Sequence, residues 1–306
     1  RPIGSFSASP ALITAGSPVT LTWRVRPDAT ASIVGIGNVA AFTAPDGSGS
    51  LTVNPAISST YTLTASAAGR NDSATTTVLV QPAGTRFGIL DLGATDGRPE
   101  PDALTNAVIG AGPNNTNAVP LDAVPLISDT GVPFSITIDS LDPSGNPVGA
   151  LDWRDRGDAP ANPLALLAED HLKNNAGLIH VTLSGLPAGT FNITSFLIDA
   201  VNSQCAAIRV LVTDADRNAA DSGLIGNASF PGHPANTGAP GLAGLNPVIV
   251  ESKSVQLSVR SDGTSPIQLW FDGSADLTDR EVPLAGLWIY QLSGPEPVQI
   301  LSLAPN

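Results

Sequence analysis

What this sequence has little of narrows the reading first. It holds one cysteine, Cys205, so no disulfide can form within the chain and a disulfide-framed fold is excluded. Lysine occurs only as Lys173 and Lys253, within 14 basic residues set against 27 acidic ones. With a net charge of -13 there is no cationic surface to neutralise a phosphate backbone, so nucleic-acid binding is not expected. Charged residues make up 13% where about a quarter is usual, yet 42% of residues are hydrophobic, which excludes a disordered chain or a coiled coil. No apolar run approaches the roughly 18 residues of a membrane span. Methionine is absent and aromatics are 5% of the chain. What is plentiful is Gly and Pro, 30 and 27 residues, a mixture that helices tolerate poorly. Two β-rich domains are expected from a chain of 306 residues. It begins at Arg1 without a leader, which we read as a processed chain.

Charge is unevenly divided. Residues 1–82 hold four basic and three acidic groups, and residues 83–306 hold ten and twenty-four. Near Gln81-Pro82-Ala83-Gly84 a Thr-rich alternating segment stops and a new apolar run, Phe87 to Leu92, begins. That reads as a linker, placing domains at 1–82 and 83–306. In the first, Val19, Leu21, Trp23 and Val25 alternate with Thr20, Thr22 and Arg24, and Tyr61, Leu63 and Ala65 alternate with threonines. Period two marks half-buried strands, and about seven short ones separated by turn signals predict an antiparallel sandwich. In the second, strands are predicted at 86–92, 119–127, 132–139, 177–184, 190–198, 206–213, 247–251, 254–260, 266–272 and 284–292, with a single helix over Leu164–Leu172. Val132, Phe134, Ile136 and Ile138 share one face, as do Val255, Leu257 and Val259. The fold class is therefore all-β, a smaller sandwich followed by a larger jelly-roll sandwich with one short helix.

Two resemblances follow. Ser5-Phe6-Ser7-Ala8-Ser9-Pro10, the strand Val19-Thr20-Leu21-Thr22-Trp23 and the run Ser59-Thr60-Tyr61-Thr62-Leu63-Thr64-Ala65 make residues 1–82 resemble the Ig-like modules of bacterial secreted and surface proteins. The order Phe87-Gly88-Ile89-Leu90-Asp91-Leu92-Gly93, Trp153-Arg154-Asp155-Arg156-Gly157, Leu166-Leu167-Ala168-Glu169-Asp170, Val181 to Phe191 and Gly286-Leu287-Trp288-Ile289 resembles secreted galactose-binding-like jelly rolls. The likeness implies an extracellular or cell-surface address. It also implies binding of glycans or a role as spacer or assembly unit rather than catalysis.

The expectation of a non-catalytic chain rests on that likeness; among 27 acidic residues a carboxylate pair of the glycosidase kind stays open by spacing. Of the three histidines, His180 sits on the polar face of a strand, His171 ends the predicted helix and His233 lies in a Pro/Gly loop; no zinc-protease or nucleophile-elbow pattern occurs. For a sugar, an exposed aromatic beside planar hydrogen-bonding groups is wanted. Trp270 with Gln268 and Asp272 is the first candidate, since Ile267, Leu269 and Phe271 take the other face; Trp153 with Arg154 is the second, against an internal Arg-Asp network. A structural calcium ion is the candidate cofactor. Asp214, Asp216 and Asn218 offer oxygens at alternate positions with Asp221 close by, although Ala219 stands where a calcium loop needs Gly. Turn-forming Asp is the competing reading. Asp91, Asp96 and Asp102 form a weaker set. Asn71, Asn114, Asn192 and Asn227 stand in frames open to glycosylation in a secreted chain.

After Pro297 a tail, about 297–304, resumes as an uncharged strand-like segment with Val298, Ile300, Leu301 and Leu303. An apolar strand left in water invites pairing. The leading expectation is thus a non-catalytic structural or adhesive subunit that self-associates into a homopolymeric cell-surface filament, sheath or layer. The alternative is a carbohydrate-binding protein in which the jelly roll grips a polysaccharide and the first domain is a spacer.

Overall fold

The computed structural model describes residues 1–93, 105–109, 116–118, 120–157, 163–201, 208–217, 224–225, 241–245, 247–251, 253–274 and 281–293. The chain forms two compact units, Arg1–Ala83 and Gly84–Asn306. The fold is all-β, of sandwich type.

In the first unit, Ile3–Ser9, Val19–Val25 and Ser48–Val53 form one sheet, with Val19–Val25 central. A second sheet runs in the order Leu12–Thr14, Arg70–Gln81, Ser59–Ala67, Thr30–Ile33, Gly37–Asn38. The alternation read from sequence is the cause of the layering. Val19, Leu21, Trp23 and Val25 are buried while Thr20, Thr22 and Arg24 face out; Leu21, Trp23 and Val25 pack with Ala31, Ile33, Leu63 and Ala65 of the opposite sheet, and Val19 with Ile13 and Val78. Trp23 pairs in register with Gly49, where an added Cβ would stand 2.3 Å from the indole. The ring therefore lies across bare backbone, and its N–H donates to Thr43 Oγ1 at 3.0 Å.

The second unit is larger. A front sheet follows the order Leu121–Ile127, Pro133–Asp139, Leu178–Ser184, Ile267–Asp272, Arg209–Thr213, Leu224–Ile225. A back sheet follows Thr105–Ile109, Thr85–Gly93, Gly286–Ser293, Gly189–Phe196, Ser254–Ser261. Phe134, Ile136, Ile138, Val181, Leu269 and Phe271 of the front meet Phe191, Ile193, Leu257, Leu287 and Ile289 of the back in one continuous core. An end sheet, Thr116–Ala118, Leu151–Asp155, Asp170–Asn174, Val282–Leu284, adds Leu151, Trp153, Leu172 and Leu284 to that core.

Two local readings are corrected. The helix predicted over Leu164–Leu172 spans Pro163–Glu169 and gives way to the strand Asp170–Asn174, held by antiparallel pairing with Leu151–Asp155. Apolar spacing alone does not report that a partner strand captures the last residues. The strand predicted at 247–251 is a second short helix, Pro247–Glu251. Its opening proline suits the first helical position, and a short apolar run has no periodicity to separate helix from strand.

Candidate functional site

The outward face of the front sheet carries polar side chains around an aromatic pair. Register places Asp139 beside His180, His180 beside Trp270 and Thr182 beside Gln268. The imidazole and indole stack with centroids 4.5 Å apart and planes 8° from parallel. His180 Nδ1 is 2.9 Å from Asp139 Oδ1, and its Nε2 is 3.1 Å from Gln268 Oε1 and 3.3 Å from the Thr182 hydroxyl. The ring is thereby fixed from both edges. Asp272, also on this face, accepts from Arg209 at 2.6 Å.

Trp270 is on the polar face, as its alternation with Leu269 and Phe271 predicts, but the expectation that it is exposed is corrected. It is 3% exposed, one ring face lies on His180, and its N–H donates to Leu141 O at 3.1 Å. Alternation tells which side a residue takes, not what covers that side. Trp153 is likewise no platform. It belongs to a strand rather than a loop and points into the core, while Arg154 pairs with Asp152 and Arg156 with Asp199. The internal Arg-Asp network is the arrangement found.

Next to the stack opens a cleft of about 420 Å³, walled by Leu121, Asp122, Thr137, Asp139, Ser140 and Leu141, with Pro120, Pro147 and Leu151. Asp139 and Leu141 belong to both, since one holds the imidazole and the other the indole N–H. A register shift between Leu121 and Val124 forms one wall, with Ala123 in the left-handed region at φ 46° and its N–H donating to Thr137 Oγ1 at 3.0 Å. Bulges of this kind re-aim side chains. Here it sets exposed Asp122 opposite Thr137. Asp139 Oδ1 also accepts from Leu141 N at 2.8 Å, which ties down the turn Leu141–Pro147. A more open groove in the first unit, about 720 Å³, is lined by hydroxyls such as Ser32 and Thr64 that already bond to each other at 2.9 Å.

A second cluster lies on the end sheet, on the side away from Trp153 and Leu172. Asp152 and Lys173 pair in register, as do Arg154 and His171. Arg156 donates to Asp199, and Lys173 to Glu281. Burial pushes the Asp152 carboxyl above its ordinary value, opposed chiefly by the charges of Arg154 and Lys173. His171, Asp199 and Glu281 each bring a ligand atom within 4.8 Å of the others, so together they could hold a metal ion. Local spacing does not reveal this set, because its members come from three distant segments and the sequence pattern places His171 at a helix end.

The acidic turn is tied up by the protein itself. Asp214 accepts from Asp216 N, Arg217 and Arg260 N, and Asp216 pairs with Arg260 at 2.7 Å, the behaviour of turn-forming Asp. Asn218, Asp221, Asp96 and Asp102 lie outside the described residues, as do the tail residues Val298, Ile300, Leu301 and Leu303 and the frames at Asn114 and Asn227. Asn71 is exposed, whereas Asn192 is half-buried mid-strand between Ser258 and Tyr290, a poor place for a glycan. Among the described residues, no helix is long and apolar enough to cross a membrane.

No protein-family model matches the chain, and no curated protein matches it. Among solved structures it is similar to a calcium-binding mutant of Bacteroides uniformis β-glucuronidase 2, at 8% identity and a TM-score of 0.32, over 95% of this chain and 30% of that one. It is also similar to a SusE-like protein, at 10% identity and a TM-score of 0.24, over 94% and 96% of the two chains. A third is the CBM51-2 and INT domains of Clostridium perfringens ZmpB, at 9% identity and a TM-score of 0.25, over 94% and 48%. This chain thus spans about a third of the glucuronidase. At such scores none of these likenesses bears on activity.

Proposed function

We propose that the second unit is a non-catalytic carbohydrate-binding module of the galactose-binding-like jelly-roll type, working outside the cell, with the first unit an Ig-like spacer. The observation that supports this is the cleft beside the His180–Trp270 stack. A pyranose presents an apolar C–H face and a rim of hydroxyls. The cleft offers Pro120, Leu121, Leu141 and Pro147 to the first, and Asp122, Thr137 and Asp139 to the second. Its volume, about 420 Å³, lies within the range of small-ligand sites. In this reading the aromatic pair is a rigid backing. It locks Asp139 and the Leu141 turn in place, so that little ordering is left to oppose binding.

The test is retardation in gels containing soluble polysaccharides, with titration of any that retard. Asp122→Ala removes a carboxylate at the cleft mouth without touching the core and is expected to weaken binding by about 10- to 100-fold, the worth of hydrogen bonds to a charged group. Retention of full affinity in that variant and in Thr137→Val, or no retardation by any polysaccharide, would sink the proposal.

A further inference from the structure

The geometry points to a divalent transition-metal site, of the kind that takes Zn²⁺, built from His171, Asp199 and Glu281 at the end sheet and separate from the proposed glycan cleft. His171 is the central observation. Its side chain has no solvent exposure, and neither ring nitrogen has a hydrogen-bond partner among the described residues. Its Nε2 nevertheless lies beside a carboxylate, 3.2 Å from Asp199 Oδ2. A buried imidazole carries one N–H and one lone pair, and leaving either unmatched is costly. A cation between Nε2 and the two carboxylates resolves the lone pair directly.

Spacing and chemistry agree. Ligand atoms about 2.0–2.2 Å from a common zinc ion stand about 3.3–3.6 Å apart at tetrahedral angles, so atoms within 4.8 Å of one another close on an ion once the side chains shift by up to about 0.7 Å. One imidazole and two carboxylates suit zinc or its neighbours, whereas calcium wants six to eight oxygens and would gain nothing from the nitrogen. The ligands come from the strand Asp170–Asn174, the segment after Gly189–Phe196 and the residue before Val282–Leu284, so an ion would cross-link segments far apart in sequence. The neighbouring cations set the affinity. Arg156 holds Asp199 and Lys173 holds Glu281, so an incoming ion competes with the Lys173 ammonium for its carboxylate.

The experiment uses the whole chain, stripped with chelator and titrated with Co²⁺ while visible absorption is followed, then with Zn²⁺ as competitor. One cobalt per chain with ligand-field bands, displaced by zinc, is expected, and His171→Gln and Glu281→Gln should each weaken binding at least tenfold. Asp214→Asn, in the acidic turn, should leave it unchanged. Proton NMR of the unsubstituted chain gives an answer that does not depend on the variants folding, because bound cobalt must shift the His171 ring signals. Absence of cobalt bands at millimolar cobalt, or binding that leaves the His171 signals in place, overturns the site.

Discussion

The two units solve the same packing problem with different materials. In the first, Ser58 is the only polar side chain buried among the described residues, and its exposed faces carry hydroxyl pairs such as Ser7 with Thr22 and Thr60 with Thr77. In the second, Asp91, Asp152, Glu169, Asp170, His171, Lys173, Asp199 and Glu281 are all buried. Burying a charge costs several kcal/mol unless it is paired, so a fold keeps such a cluster only where partners are built around it. The contrast separates a scaffold, held by alternating apolar residues, from a unit whose interior also holds charged side chains.

Unfolding the two units in turn puts these materials to the test. The largest effect is expected from Lys173→Met, which takes the ammonium from the buried Glu281 carboxylate. It should cost the second unit about 3–5 kcal/mol in denaturant unfolding and leave the first unit's transition where it was. Next is Gly49→Val in the first unit. Its side chain would enter the space of the Trp23 indole and should cost about 1–3 kcal/mol, seen as an earlier transition and a change in Trp23 fluorescence.

A pH series gives a smaller signal. Asp152 is raised by burial, so the folded state holds its proton more tightly than the unfolded chain does. Its contribution is full below the ordinary carboxylate value of about 3.9 and is lost as pH rises through the raised one. The stability difference between the natural chain and Asp152→Asn should therefore shift against the natural chain as pH climbs from about 4. In the first unit Asp72 is lowered, chiefly by Arg1, so Asp72→Asn should matter more at neutral pH than in acid. Equal slopes from the two substitutions would erase the distinction between the units. Smallest of all, Thr60→Val breaks an exposed hydroxyl pair at 3.1 Å and should stay within about 0.5 kcal/mol.

Much of the architecture is legible along the chain because strands carry their own signature. Val19 to Val25 and Ser254 to Ser261 alternate strictly, and both lie where that alternation puts them. The strands Leu151–Asp155 and Asp170–Asn174 are not legible in this way. Both of their faces are largely covered, so Asp152 and Trp153 are buried alike and the period vanishes. The site residues divide along the same line. Gln268, Trp270 and Asp272 could be assigned to an outward face, but not the stack with His180 nor the Leu141 carbonyl that takes the indole proton. Nothing local marks Asp122, whose place in the cleft depends on a bulge.

That the chain is all-β, and which faces of its strands are apolar, follows from composition and period two, which act within a few residues of each other. That Trp270 is roofed, that Trp153 is core, and that His171, Asp199 and Glu281 meet are outcomes of the assembled sheets. Those outcomes depend on which distant strands pair and in what register. Register is a property of the whole sheet, set by the burial of all its side chains together.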